Sequence, residues 1–478
     1  MAFSSFSFIL FAAVVWGLFH ITPDRLKWLS LLVASFVFYS SLQAPYLLIV
    51  LAATAIVSYG MALLIHQKPE GSTRFLLLWG GIGFNIIVLA TLKYLPASSA
   101  LFSAFSPADE PGKTLLISIG VSYFTFQAIS YLVDVYLELI EPEEHLGYFT
   151  LYLAFFPKLL QGPIERGADL LPQLRRTTYQ FDYELARSGA LLFVWGMFKK
   201  VVVADRLALS VNAVYNDVHA YSGVALIVAT VLYALQLYLD FSGYTDMAIG
   251  VGRLFGIELT NNFNSPYRAT SIADFWRRWH ISFSRWILDY IFKPLQMTWR
   301  NAGTAGAAAA LLVTFLVSGV WHGASWGFIV WGLLHGIYMA AAVYYRPYQK
   351  KFHALLGLQK GPLKTVLQTC CTFALVCFAW IFFRANSIGD ALYIVRHLAD
   401  VSTSTKSLAD QVLLGRSAQD LLIVALGVTI VSAGPRLYHL LDLFKRPFFV
   451  RWAYYAGVVL VIVFGGVQGK STFIYFQF

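Results

Sequence analysis

Charge is what this sequence most lacks. Of its 478 residues only 13% are Asp, Glu, Lys or Arg, where a soluble globular chain carries about 25%. Cysteine is nearly absent as well: Cys370, Cys371 and Cys377 all fall within one apolar run. Neighbours such as Cys370 and Cys371 are unsuited to an ordinary disulfide, and a thiol in apolar surroundings serves as a small packing residue. A stapled secreted domain is therefore a poor fit. Metal and phosphate signatures are missing too. There is no HExxH or CxxC, and the GVGRLFG run at 250–256 lacks both a preceding strand and the Lys-Ser/Thr pair of a phosphate loop. No metal site is expected, and no Pro/Ser-rich linker separates two halves.

Apolar residues fill the space that charge leaves. Hydrophobic residues make up 58% and aromatic ones 17% of the chain, and its mean hydropathy is +0.64. An excess of that size cannot be hidden by a chain folding in water, so the solvent for most of it is a lipid bilayer. The formal charge of +10 then reads as basic cytoplasmic loops rather than as a nucleic-acid surface. Apolar runs long enough to cross about 30 Å of hydrocarbon begin at Phe3–Ile21. That run lacks a basic stretch before it and a small-residue cleavage site after it, so it reads as a first membrane helix. Others lie near 28–42, 45–65, 74–95, 114–137, 147–160, 187–205, 222–241, 305–321, 325–345, 365–383, 420–434 and 452–468. The fold expected is all-α, a polytopic integral membrane protein of about 11–13 transmembrane helices with re-entrant or interfacial pieces. The 147–160 run is short and ends at Pro157 and Lys158, as a half-helix would.

One integral domain, 1–478, is expected, with N-terminal helices over 1–145, a core over 146–345 and C-terminal helices over 346–478. Arg25 and Lys27, Lys68 and Arg74, then Arg346, Lys350, Lys351, Lys360 and Lys364 sit between apolar runs. Their distribution places the 66–74 and 346–364 loops in the cytoplasm and the N-terminus outside. The loop carrying Glu138, Glu141, Glu143 and Glu144 has no basic residue, so this rule assigns it no side.

The stretch from Tyr238 to Arg300 breaks the pattern, being too charged to span lipid and too aromatic for an ordinary loop. Within 262–300, Trp276, Trp279, Phe283, Trp286 and Tyr290 recur at helical spacing among six basic residues. Composition alone favours a helix lying in the membrane interface, with a helix dipping into a protein-lined cavity as the alternative. Asp240 and Asp246 flank FSGYT, where they hold local backbone or pair with a buried cation. Asn261, Asn262, Asn264 and Pro266 read as turn formers. Arg277 and Arg278 suit an anionic nucleotide donor, although Asp274 and Arg278 are also spaced for a helical salt bridge.

Three histidines lie in or beside apolar sequence: His280, His322 and His335. An ionisable group at membrane depth is costly enough to suggest function, and histidine is suited to moving a proton near neutral pH. In WHGASWGFIVWGLLHG, Gly323, Gly327, Gly332 and Gly336 allow close approach while Trp326 and Trp331 can wall the space. Gly323 is expected to end the helix just after His322, and Trp331 shares a helical face with His335.

FFPKLLQGPIER at 155–166, LDFSGYTDMAIGVGRLFGIEL from 239, NFNSPY at 262–267, DFWRRWHISFSRWILDYIF at 274–292 and VWHGASWGFIVWGLLHG at 320–336 occur in order. With the closing STFIYFQF at 471–478 and the early FSSFSF, they closely resemble the membrane-bound O-acyltransferases. The likeness is to the bacterial branch typified by the alginate O-acetyltransferase membrane subunit. The resemblance implies a central tunnel and places the family's catalytic histidine on His322 and its second characteristic polar position on His280. Trp321, Gly323, Trp326, Trp331, His335 and Trp279 would line the tunnel or substrate. It implies no bound cofactor, acetyl-CoA or another activated acetyl carrier as cytoplasmic donor, and a bacterial inner-membrane location. A periplasmic partner of the serine-hydrolase (SGNH) type would place the acetyl group on an exported polysaccharide, within a polysaccharide biosynthesis complex. On the chemistry, a neutral imidazole about 3 Å from an attacking hydroxyl can take its proton. His280, Trp326 or a backbone N–H near Gly323 would stabilise the oxyanion. D-alanyl transfer to teichoic acid, as in a sister branch, or a non-catalytic transporter or scaffold are the competing expectations. No internal repeat of the transporter kind is visible.

Overall fold

A computed structural model describes residues 1–42, 44, 46–94, 120–323, 325–355, 361–400, 408–441, 447–467 and 473–474. The first part of the expected 114–137 run and most of the STFIYFQF motif lie outside these residues. Every regular element among the described residues is helical. The chain separates into two compact units, described in turn. One comprises Met1–Gly196, Tyr244–Asn261 and Thr472–Phe478, the other Met197–Gly243 and Asn262–Ser471.

Among the described residues, seven helices are long and apolar enough to cross a bilayer: Tyr46–Gln67, Ser72–Tyr94, Val224–Leu254, Arg300–His322, Trp326–Tyr345, Pro362–Arg384 and Phe448–Gly465. Phe6–Ile21 and Ala418–Gly434 are shorter apolar helices. Helix Phe6–Ile21 shows why lipid is the solvent. Its Ser5 side chain accepts the Phe8 N–H as an N-cap, and the helix ends at Thr22, just before Pro23. Phe8, Ala12, Val15 and Phe19 face inward, while Phe6, Leu10, Val14 and Leu18 form an exposed stripe at spacing four. Water would penalise such a stripe, whereas hydrocarbon does not. The expected runs at 28–42 and 147–160 fold as helices of 14 and 9 residues, Lys27–Ser40 and Leu146–Ala154. At 1.5 Å rise per residue, the second reaches less than half of the hydrocarbon thickness.

In the first unit, the half-helix Leu146–Ala154 gives way to an irregular, buried segment over 155–165. Backbone without a ladder is tolerated at such depth only inside protein. Its polar groups are met internally: buried Lys158 Nζ donates to Gln127 Oε1 at 2.7 Å and to the Leu153 carbonyl at 3.3 Å. Glu165 accepts Thr260 N–H at 2.6 Å and Thr260 Oγ1–H at 3.0 Å. The acidic loop also acquires a side. Glu138 pairs with Arg74 at 2.8 Å and Glu141 with His66 at 3.5 Å, so this loop shares the face of the basic 66–74 turn.

In the second unit, helices Gly303–His322 and Trp326–Leu355 form a tight hairpin. Gly319 and Gly332 face each other so closely that a Cβ on Gly332 would lie 2.4 Å from the Phe315 carbonyl oxygen. Small residues let helices approach in this way. The long helix runs on to Leu355, so part of the basic 346–364 stretch is helical rather than loop. A π-helical stretch, Phe198–Ala204, turns Lys200 into the unit, where its ammonium meets Asp205 at 2.7 Å and Asp240 at 2.6 Å. Asp240 thus pairs with a buried cation. The free thiols of Cys370 and Cys371 are exposed and Cys377 is buried.

The aromatic segment departs from the interfacial expectation. It is cut into Ile272–Arg278, Ile281–Ile287, a π-helical Leu288–Phe292 and Lys293–Thr298. Trp276, Trp279, Phe283 and Trp286 are buried in protein rather than turned to headgroups. Composition could not distinguish the two, because tryptophan suits a membrane interface and a protein core alike. What decides is the break at His280, whose φ of 42° and ψ of 57° end one short helix and start the next.

Candidate functional site

The second unit gathers the expected histidines around one aromatic cluster. Helix Gly303–His322 ends on His322, and Gly323 follows with extended backbone. A Cβ at Gly323 would stand 2.6 Å from the Phe328 ring, so any larger residue here requires that ring to move. The break expected after His322 is therefore present. His322 is buried, and its ring centroid lies 4.6 Å from Trp321, 4.7 Å from Trp331 and 5.3 Å from Phe383. Its Nδ1 is 2.7 Å from the Ser318 carbonyl one turn back. A carbonyl only accepts, so Nδ1 carries the proton and Nε2 is the basic nitrogen.

His280 stands on the other side of Phe283. Its ring stacks on Phe283 at 5.1 Å, Phe283 stacks on Trp321 at 4.4 Å, and Phe283 meets His322 edge-on at 5.8 Å. Burial, with His322 as a second influence, holds the His280 imidazole well below the usual histidine pKa. The left-handed backbone of His280 is uncommon for a residue with a side chain. It is held by a clamp. The Ile281 N–H donates to the Asn262 carbonyl at 2.9 Å, and the Ser282 N–H donates to Asn262 Oδ1 at 3.0 Å. The Asn264 N–H donates to the Arg278 carbonyl at 3.0 Å. Asn262, read from sequence as a turn former, positions His280. Its spacing to the histidine carries no periodic signal that would have marked it.

His335 is fully buried and accepts the Trp276 indole N–H on Nδ1 at 3.2 Å. Trp331 lies between it and His322, with centroid distances of 5.3 Å and 4.7 Å. Trp321 and Trp331 thus pack against the histidine cluster. Trp279 instead packs among Phe275, Phe263 and Trp380. Trp326 does not wall the site, being 68% exposed at the start of its helix. Trp331 is five positions further on, which places the two about 140° apart around a helix.

Arg277 and Arg278 both reach Asp274, at 3.3 Å and 3.1 Å, and Arg278 also reaches the Asn264 carbonyl at 3.4 Å. Burial acts to raise the Asp274 pKa, but hydrogen bonds from Arg278, Thr270 and Arg277 outweigh it and hold the carboxyl below its usual range. The helical salt bridge is thus present, and only Arg277 keeps most of its side chain exposed. Gly323–Gly327 spells G-x-S-x-G. Ser325 follows a helix rather than a strand, and its Oγ accepts the Gly327 N–H at 3.3 Å. It is a helix cap, not the strand-to-helix elbow of a serine nucleophile. Among the described residues, no three His, Cys, Asp or Glu side chains stand together as a metal site would need.

Residues 114–383 match the profile of the MBOAT, membrane-bound O-acyltransferase, family. A peptidoglycan O-acetyltransferase of Helicobacter pylori is 33% identical over 404 residues, covering 78% of this chain and 73% of that protein. The probable alginate O-acetylase AlgI of Pseudomonas aeruginosa is 34% identical over 397 residues, covering 81% and 73%. The teichoic acid D-alanyltransferase of Bacillus subtilis is more distant, 24% identical over 373 residues and covering 75% and 89%. A transporter or inert scaffold is thereby set aside. With its apolar helices and this match over more than half its length, the chain belongs to the membrane-bound O-acyltransferase family and is a multi-pass membrane acyltransferase.

Proposed function

We propose that this protein moves an acetyl group from a cytoplasmic donor, acetyl-CoA or another activated acetyl carrier, across the inner membrane for O-acetylation of a cell-surface or exported polysaccharide. In this reading His322 Nε2 takes the proton of the attacking hydroxyl as its oxygen bonds to the thioester carbonyl carbon. The tetrahedral intermediate then collapses, the thiolate leaves, and the imidazolium returns the proton to the sulfur. Ser318 orients the ring by accepting the Nδ1–H. His280, kept neutral by burial, is the side chain assigned to hydrogen-bond the oxyanion. A periplasmic transferase of the serine-hydrolase type receives the acetyl group and places it on the polymer.

The observation carrying this reading is the 2.7 Å contact of buried His322 Nδ1 with the Ser318 carbonyl, beside the clamped His280. The relatives named for acetyl transfer are also more similar to this chain than the one named for D-alanyl transfer. The test is the acetyl content of the host's polysaccharide at equal protein level. Replacing His322 with Ala is expected to abolish acetylation while membrane insertion stays normal. Wild-type-like acetylation by that variant would refute the assignment. Incubation with labelled acetyl-CoA separates the donors, since a D-alanyl transferase would take no label.

A further inference from the structure

The first unit holds a cationic pocket that the transfer chemistry does not use. It lies where helix Phe6–Ile21 ends and helix Lys27–Ser40 begins, closed by the 176–182 loop and the 253–256 turn. Lys27, Arg176 and Arg253 line it against one carboxylate, Asp182. The Asp182 carboxylate is already engaged, accepting the Leu185 N–H at 3.0 Å. The cavity is about 50 Å³, where roughly 10–15 Å³ suffices for one water on the same measure. A group the size of a phosphate fits.

Its cations differ in what holds them. Lys27 is buried, paired with Asp24 at 2.8 Å, and sits 5.1 Å and 5.2 Å from the Phe19 and Tyr179 ring centroids. Among the described residues, the two arginines have only neutral acceptors. Arg176 donates to the Gly256 carbonyl at 3.2 Å and Arg253 to Ser188 Oγ at 3.4 Å. The Nε of Arg253 is buried with no hydrogen-bond partner among the described residues. A buried guanidinium donor without an acceptor is costly, and two forked cations converging on one cavity match phosphate geometry. Beside the pocket, Ile21 and Phe181 are exposed apolar side chains, as at a membrane boundary. On the loop-charge topology, this end of the first helix faces the cytoplasm.

We infer that this pocket binds a phosphate group, from either an anionic glycerophospholipid headgroup or a soluble nucleotide. The inference stands apart from the acetyl-transfer reading, because binding is measured without turnover and His322→Ala is expected to retain it. The full chain is placed in phosphatidylcholine nanodiscs and tested in two arms. One titrates phosphatidylglycerol and counts retained lipid by native mass spectrometry. The other measures binding of labelled adenosine 5′-diphosphate by equilibrium dialysis. Saturable binding is expected in at least one arm, weakened roughly 10-fold or more by Arg176→Gln with Arg253→Gln. Lys68→Gln, an exposed charge outside the pocket, is expected to change nothing. The exposed Arg176→Gln variant alone, with a smaller loss, covers the case in which the double variant misfolds. No binding in either arm, or equal binding by the arginine variants, overturns the inference.

Discussion

Replacing Gly332 with alanine tests whether the closeness of two helices sets the position of His322. The new Cβ would lie 2.4 Å from the Phe315 carbonyl oxygen and 3.0 Å from backbone atoms of Gly319. Ordinary contact begins near 3.4 Å, so the helices must part by about 1 Å. The opposing atoms are backbone, and no side chain can swing aside to relieve them. Overpacking of this kind costs about 1–3 kcal/mol, which an otherwise intact bundle tolerates. His322 ends the helix that contains Gly319, so its ring shifts against Trp331 on the partner helix. A misplacement of roughly 1 Å among reacting groups can cost about 10²-fold in rate. Gly332→Ala is therefore expected to insert normally yet transfer acetyl groups about 10²-fold more slowly. The assay is polymer acetyl content and initial rate at matched protein level, with the melting temperature in detergent recorded beside it. Gly336→Ala, whose Cβ would stand 3.2 Å from Leu312 Cα, needs a shift of only a few tenths of an ångström and should lose much less. Gly80→Ala, with nothing within 4 Å, should be silent. Full activity in Gly332→Ala would show that this interface does not position His322.

Three further outcomes follow from the same geometry. Lys200→Met leaves Asp205 and Asp240 buried without their cation and should cost about 3–5 kcal/mol, read as a lowered melting temperature; an unchanged one would mean that water replaces the ammonium. Asn262→Ala removes the acceptor of the Ser282 N–H, a buried loss of about 1–3 kcal/mol, and should slow acetyl transfer through His280; an unchanged rate would leave the clamp without a role. His280 is held below the usual histidine pKa by burial, so the unfolded chain takes up more protons as acidity rises. The stability it contributes is present above about pH 6.5 and declines as pH falls below that toward the folded pKa. His280→Gln should flatten this decline in a pH series of melting temperatures, and an identical series would refute it.

Much of the architecture was legible because hydropathy is additive along the chain. The helix break at Gly323 was legible because glycine acts locally. His280 and His322 stood out in the sequence because of the motifs surrounding them. Trp326 was misjudged because counting residues within a motif ignores the angle each takes around a helix. Asn262 was undervalued because its effect is exerted across a loop, on the N–H groups of a segment that the turn brings back to it.

The sequence alone determined the solvent. With so few charges and so many apolar side chains, only a bilayer leaves the exposed stripe of Phe6, Leu10, Val14 and Leu18 without penalty. The tertiary structure alone decided where the scarce polar groups stand: Lys200 between two aspartates, His280 in a left-handed break, His322 turned by Ser318. Composition sums over residues and is indifferent to direction. A buried proton carrier or ion pair depends on direction, because each hydrogen bond requires a particular partner from a particular side.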